Sequence, residues 1–262
     1  MKITIITVNL NNKAGLQKTI NSIVSQTCKD FEWIVIDGGS TDGGKEIIEA
    51  NSDHISKWVS EPDKGIFDGM NKGIIIAEED YLLFLNSGDI LANNNVIENI
   101  YKDNPREDIL IYDILLNNGK KESKKDLSNL TNYSIVSFLY SSTFPHQSTL
   151  IKRELFHQIG LYDLKHKYVA DWIFFWKACI DYNASYVYKK GTILSIYDMS
   201  GISTQNRDKA KKERADFLLN HYPTRIYNII KSNFKKEKEQ LNLNKPLLNT
   251  LYRGLLWLSN KL

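Results

Sequence analysis

The sequence predicts an α/β protein: a Rossmann-like, mostly parallel sheet flanked by helices, with a helical appendage at the C-terminus. Three observations carry this. Short β-branched runs alternate with segments of helical periodicity through the first third of the chain. Small polar residues cluster directly after the apolar runs, where an open parallel sheet places its ligand crevice. Beyond Pro223 the chain turns basic and amphipathic.

Ile3 to Val8 reads as the first strand. Leu16, Ile20, Ile23 and Val24 then recur at helical spacing, and Phe31 to Ile36 resumes strand character, so a right-handed βαβ unit is expected. Tyr81 to Leu85 is apolar enough for a buried strand; Val96, Ile97, Ile100 and Tyr101 share a helical face, and Ile109 to Ile114 follows as another strand. Five strands are the minimum. Residues 117–132, rich in Asn, Lys and Ser, read as a surface loop or insertion. After it come a strand at Gln147 to Ile151 and helices near Arg153 to Ile159 and Trp172 to Tyr182, an arrangement closer to a substrate-binding elaboration than to further βαβ repeats.

The 262 residues suffice for one large core with an appendage. Cys28 and Cys179, far apart in the chain, suit reduced thiols better than a disulfide framework or a thiolate metal site. The start lacks signal-peptide character, and no apolar run reaches the length of a membrane span. The expected location is cytoplasmic, with peripheral contact to the inner face of the membrane left open. A net charge of +3 does not imply nucleic acid, and none is expected as a partner. Residues 224–262 carry eight Lys or Arg against two Glu, interleaved with apolar residues. That pattern fits either a solvated helical cap of two amphipathic helices or a basic surface for anionic lipid.

The residues after the strands carry the chemistry. The loop after the first strand has neither GxGxxG nor GxxxxGK[ST], which weighs against oxidoreductase and kinase readings. Thr7, Val8 and Asn9 end the first strand, and Asp37 and Gly38 end the second. There Asp37 could accept a hydrogen bond from a base N–H, or simply shape a glycine-rich turn. Asp63, Lys64 and Gly65, with Asn71 shortly after, form a second charged group: Lys64 could face a diphosphate, with Asp63 reading a base or orienting Lys64. Asn86, Ser87, Gly88 and Asp89 follow an apolar strand directly. One carboxylate there is enough for Mn²⁺ or Mg²⁺, because such a cation completes its shell from substrate phosphates, and it would stabilise a departing diphosphate.

Taken together, Thr7 to Asn9, Val35 to Gly43, Glu61 to Gly65, Asn71 to Gly73 and Leu85 to Asp89 resemble the family 2 glycosyltransferases of the GT-A fold, over roughly residues 1–205. The resemblance implies transfer of a sugar from a nucleoside diphosphate, usually of uridine, with Thr7, Asn9 and Asp37 on the nucleotide and Asp89 on the metal. Asn86 and Gly88 stand where relatives often carry further acids. It also implies a general base in the second half, where Val169-Ala170-Asp171-Trp172 matches and Asp171 is the candidate. Removing the acceptor's proton is the task of that base in an inverting transfer, though an Asp opening a helix is also a good cap. His146 and Gln147 match a segment lining the sugar and acceptor pocket, and Gly201 to Ser203 could belong to a loop closing over the donor.

The division expected is a GT-A domain over 1–222, with a nucleotide-binding half at 1–115 and an acceptor-binding half at 133–222, followed by the basic tail 223–262. The expected substrates are a nucleotide-sugar donor and a glycan or lipid-linked acceptor of polysaccharide synthesis. A nucleotidyltransferase, and a catalytically inactive sugar-nucleotide or glycan-binding protein, remain alternatives on the residues alone.

Overall fold

The computed structural model describes residues 1–199 and 206–242. Gly201 to Ser203 and the last part of the tail lie outside the described residues. The chain divides into two compact units, one of residues 1–125 and 144–214, the other of residues 126–143 and 215–262.

In the first unit, β1 (Ile3–Asn9), α1 (Lys13–Val24) and β2 (Glu32–Asp37) form the expected βαβ unit, and every residue of both strands is buried. Burial on both faces explains their nearly continuous apolar character. Asn12 starts α1 by accepting the Gly15 N–H on its side-chain oxygen at 3.1 Å, and Leu16, Ile20 and Ile23 turn inward. After α2 (Gly44–Ala50) come β3 (Lys57–Ser60), α3 (Ile66–Ile76) and β4 (Tyr81–Phe84). Strands β3, β2, β1 and β4 run parallel in that order.

The sheet then changes character. After β5 (Ile90–Leu91) and α4 (Val96–Asp103), β6 (Ile109–Asn117) turns back through the short β7 (Glu122–Lys124). Beyond α5 (Asn129–Asn132) and α6 (Ile135–Ser141), in the second unit, β8 (Thr149–Lys152) enters antiparallel between β4 and β6. Helices α7 (Glu154–Ile159) and α8 (Ala170–Trp176) follow, α8 running on as a π-helical turn over Lys177–Asp181, and then β9 (Tyr186–Asp198) pairs with β6 and β5. The full order is β3-β2-β1-β4-β8-β6-β9-β5, with β7 on β6.

The described sheet has nine strands, above the expected minimum of five. Residues 117–132 are no plain loop: they contain β7 and α5, and Leu127 is buried. β9 was hidden because Lys189-Lys190-Gly191 breaks its pattern. There the strand bulges, with Gly191 at φ +94°, and the buried Asp113 carboxylate holds it by accepting from the Tyr188 hydroxyl and the Gly191 N–H while pairing with Lys124.

One face of the sheet packs Ile3, Ile5 and Trp33 against Leu16 and Ile20 of α1 and Ile97 of α4. On the other, α3 lies close to β1, and Phe84, Phe156, Tyr162 and Phe174 form an aromatic cluster in which Phe156 and Phe174 stack at 4.1 Å. In the second unit, α6 packs on α10 (Thr224–Asn242), which follows α9 (Arg207–His221); Tyr133 and Tyr140 meet Phe234, and Glu237 accepts from both the N–H and the hydroxyl of Ser134. Segment 126–143 therefore belongs to the same unit as the C-terminal helices.

Candidate active site

The loops after β1, β2 and β4 are stitched together at the carboxyl edge of the sheet. Gly38 N–H donates to the Asn9 carbonyl at 2.8 Å, Ser87 N–H to the Val8 carbonyl at 3.0 Å, and the Asn12 amide to the Ser87 carbonyl at 3.0 Å. Three polar segments distant in sequence are thus brought to one edge, all within the first unit.

The nucleotide-side residues are not all offered to a ligand. Asp37 is fully buried, and its two oxygens accept from Asn9 Nδ2 at 2.8 Å, Ser60 Oγ at 2.8 Å, and the Ser40 hydroxyl and N–H at 2.5 and 2.9 Å. Burial alone would raise its pKa, but these donors outweigh burial and hold it below the usual carboxylate range. With its lone pairs so engaged, Asp37 shapes the loop after β2. Thr7 is likewise fully buried, accepting from the Trp33 indole N–H at 3.1 Å, because its side chain falls on the α1 face of the sheet. Asn71 is buried with both ends of its amide on the backbone of Tyr162, at 2.9 and 3.0 Å, so it braces a loop. Val8 packs on Gly69 of α3, and Asn9 is buried under Asp37.

Asp63 stands differently. One of its oxygens accepts the Gly65 N–H at 2.8 Å, while the other lies 2.5 Å from where a Cβ would sit on Gly38, so Gly38 must lack a side chain for Asp63 to lean over the β2 loop. Asp63 is only partly buried, which leaves it as the carboxylate on this side within reach of a ligand. Lys64 beside it is exposed, and Gly65 adopts φ +118° to open α3.

His146 links the loop after β4 to α8. Its Nδ1 lies 3.2 Å from Asp171 Oδ2, and its Nε2 lies 3.4 Å from the Asn86 amide nitrogen. An amide nitrogen only donates, so the pattern puts the ring proton on Nδ1, pointed at Asp171. Asp171 Oδ1 accepts the Trp172 N–H at 2.8 Å. Val169 is the N-cap of α8, and Asp171 sits in its first turn. The Asp171 and His146 side chains retain 14% and 16% exposure. Burial would raise the Asp171 pKa, but the hydrogen bond and charge of His146, the Trp172 N–H and the Arg214 charge prevail and hold it low. It is ionised at neutral pH, as a base must be.

Residues suited to a divalent cation gather at the loop after β4. Burial pushes Asp89 up to about 7, with the Asp198 charge adding, against the Asp198 N–H at 3.0 Å, His146 and Gln147. Asp198 itself comes within 3.2 Å of where a Cβ would sit on Gly88, whose φ is +105°. Asn86 Oδ1 is buried with no hydrogen-bond partner among the described residues. Among those residues no group of three His, Cys, Asp or Glu could hold a metal alone. An all-oxygen set with one or two carboxylates nevertheless fits Mn²⁺ or Mg²⁺ sharing its shell with substrate phosphates. Asp198 was missed in the sequence because it ends the hidden strand β9. Lys125 and Arg214, whose charges bear on Asp171, belong to no motif.

Residues 4–161, which contain every loop of this edge up to His146, match the model of Glycosyl transferase family 2. The chain belongs to that family. A PGL/p-HBAD biosynthesis glycosyltransferase of Mycobacterium bovis is 30% identical over 179 residues, covering 65% of this chain and 67% of the relative. Among solved structures, S. aureus TarS 1-349 in complex with UDP superposes with a TM-score of 0.64 at 20% identity, over 76% of this chain. The mannosyltransferase PcManGT from Pyrobaculum calidifontis, in complex with GDP-Man and Mn²⁺, gives 0.59 at 15% identity over 75% of this chain. The chain spans 60% of that TarS chain and 56% of PcManGT. These likenesses make the fold GT-A. Membership in family 2 replaces the nucleotidyltransferase alternative.

Proposed function

We propose that this glycosyltransferase moves a sugar from a UDP-linked donor onto a hydroxyl of a glycan or lipid-linked acceptor with inversion at the anomeric carbon, Asp171 acting as base. The observation that carries the reading is the Asn86–His146–Asp171 chain, which puts an ionised carboxylate one side chain from the loop after β4. The acceptor hydroxyl gives its proton to Asp171 as its oxygen attacks the anomeric carbon, and the bond to the diphosphate breaks on the opposite side. His146, donating through Nδ1, holds the carboxylate in orientation. Asp63 and Lys64 face the nucleotide end, and Gln147 supports Asp89. Mn²⁺ or Mg²⁺, held by Asp89, Asp198 and Asn86, would neutralise the departing diphosphate. UDP in the TarS structure, and GDP-Man with Mn²⁺ in PcManGT, support a nucleotide-sugar donor and a metal.

Asp171→Asn should lower transfer by about 10³-fold, within the usual range for losing a general base, while leaving UDP affinity within about twofold. Near-normal turnover in that variant removes the base assignment. A thermal-shift panel of nucleotide sugars with Mn²⁺ identifies the donor, because a ligand of the folded state raises its melting temperature.

A further inference from the structure

A cavity of about 340 Å³ opens between α4 and the bulged part of β9, wholly within the first unit. Buried Tyr112, Ile100 and Leu194 form its floor, and the exposed Asn93, Asn99 and Thr192 line its rim. Both walls are pinned from behind. The Gln26 side chain, itself 2% exposed, donates to the Asn93 carbonyl at 2.7 Å and accepts the Ile97 N–H at 3.3 Å. The buried Asp113 carboxylate holds Gly191, next to Thr192, by its N–H at 2.7 Å. The cavity is therefore built into the fold, and one polar group of its lining is left over: the Tyr112 hydroxyl is buried without a hydrogen-bond partner among the described residues. Such a group carries its full cost of desolvation, and burial keeps it protonated, so it has a proton to donate. None of the described lining residues is charged.

A charged ligand would lose its hydration here with no counter-charge to replace it, whereas a neutral ligand with an apolar face and several hydroxyls matches both floor and rim. The side-chain amides of the rim both donate and accept, as neighbouring hydroxyls of a sugar do. We propose that this cavity binds a neutral sugar unit of a glycan. Its walls lead toward the chemistry: Asn93 stands four residues beyond Asp89, and Leu194, whose carbonyl accepts the Ala92 N–H at 2.9 Å, four residues before Asp198. At a strand rise of about 3.3 Å per residue, Leu194 lies about 13 Å from Asp198 along β9. A glycan can thus rest one unit on Tyr112 while its reacting end reaches the loop after β4. That the bound glycan is the acceptor or its product rests on the proposed transfer; that the cavity takes a neutral sugar does not.

The test is saturation-transfer NMR on the full chain with glucose, galactose, mannose, N-acetylglucosamine and maltotriose, with glucuronate and uridine as comparators, UDP and Mn²⁺ being absent or saturating. At least one neutral sugar should bind, equally with UDP in place, and glucuronate should not. Thr192→Trp, at the exposed rim, should abolish that binding by closing the mouth. Tyr112→Phe should weaken it about fivefold, the loss of one hydrogen bond, while the melting temperature stays level or rises because a buried unpaired hydroxyl is removed. Binding by none of the neutral sugars would leave the cavity to water and overturn the proposal. So would binding unchanged in Thr192→Trp or Tyr112→Phe, displacement by UDP, which assigns the sugar to the donor site, or displacement by uridine, which makes the cavity a nucleoside site. Asp171→Asn should bind the sugar as the native chain does whether or not its turnover falls, so a failure of the base reading and a failure of this site are read separately.

Discussion

Asp89 illustrates how burial alone makes a residue conditional on its ligand. In the unfolded chain it loses its proton near the ordinary value of 3.8, whereas in the folded protein without a cation it keeps the proton up to about 7. The folded state therefore binds the extra proton between these values, and the stability due to this group falls as pH rises through the window. At about 1.4 kcal/mol per pKa unit, the loss is on the order of 4 kcal/mol by pH 7. Asp37, Asp113 and Asp171, held below the ordinary range, lose their contribution only as pH falls through their lowered values, so they do not blur this window. A cation favours the ionised form. The melting-temperature gain from Mn²⁺ should grow from about pH 5 to about pH 8, and Asp89→Asn should flatten it; a gain of the same size in that variant would remove Asp89 from the metal site. At this scale the sequence shows where a polar motif follows a strand, as Asn86 and Asp89 follow β4. It does not show which face a side chain takes. Thr7 and Asn71 are polar residues in the expected segments, but the pleat of β1 and the turn of α3 direct them to Trp33 and Tyr162.

At the scale of elements, close packing of α3 on β1 positions the Asp63 loop. A Cβ on Gly73 would lie 2.5 Å from Ile6 Cγ2, and one on Gly69 would lie 2.7 Å from Val8 Cγ1. Glycine at these positions admits the helix to the strand. Gly73→Ala gains about 1 kcal/mol of helix propensity but overpacks a fully buried Ile6, which costs about 1–3 kcal/mol. Overpacking wins, and urea denaturation should show a net loss of up to about 2 kcal/mol with an unchanged m-value. Because α3 follows directly on Asp63 and Lys64, UDP affinity should fall as well; a more stable variant would mean that the helix has room to move. The βαβ half was legible because each strand is buried on both faces and each helix has one apolar stripe. The antiparallel half was not, since β8 inserts between β4 and β6, and β9 carries a bulge whose register is set by Asp113, 75 residues from Tyr188. Pairings of that separation leave no local pattern.

At the scale of the whole molecule, the second unit bears on where the enzyme works. No helix among the described residues is long and apolar enough to cross a membrane. Helix α10 turns Phe234 toward Tyr133 and Tyr140, while Lys231, Lys235, Lys236 and Lys238 are exposed. Truncation at Pro223 would remove the aromatic partner of α6 together with the charge, and so could not separate folding from lipid binding. Changing the four lysines to Gln keeps the packed face and removes only the charge. A lysine near an anionic surface contributes about 1 kcal/mol, so allowing for screening the variant should bind vesicles of anionic lipid about 10²-fold more weakly, with no change on neutral vesicles. Raising the salt should erase the difference, because attraction to a charged surface is screened beyond a Debye length. Equal co-sedimentation of both proteins at low salt would leave α10 as a solvated cap, and the lipid-linked acceptor would then have to be brought to the site by something other than this helix.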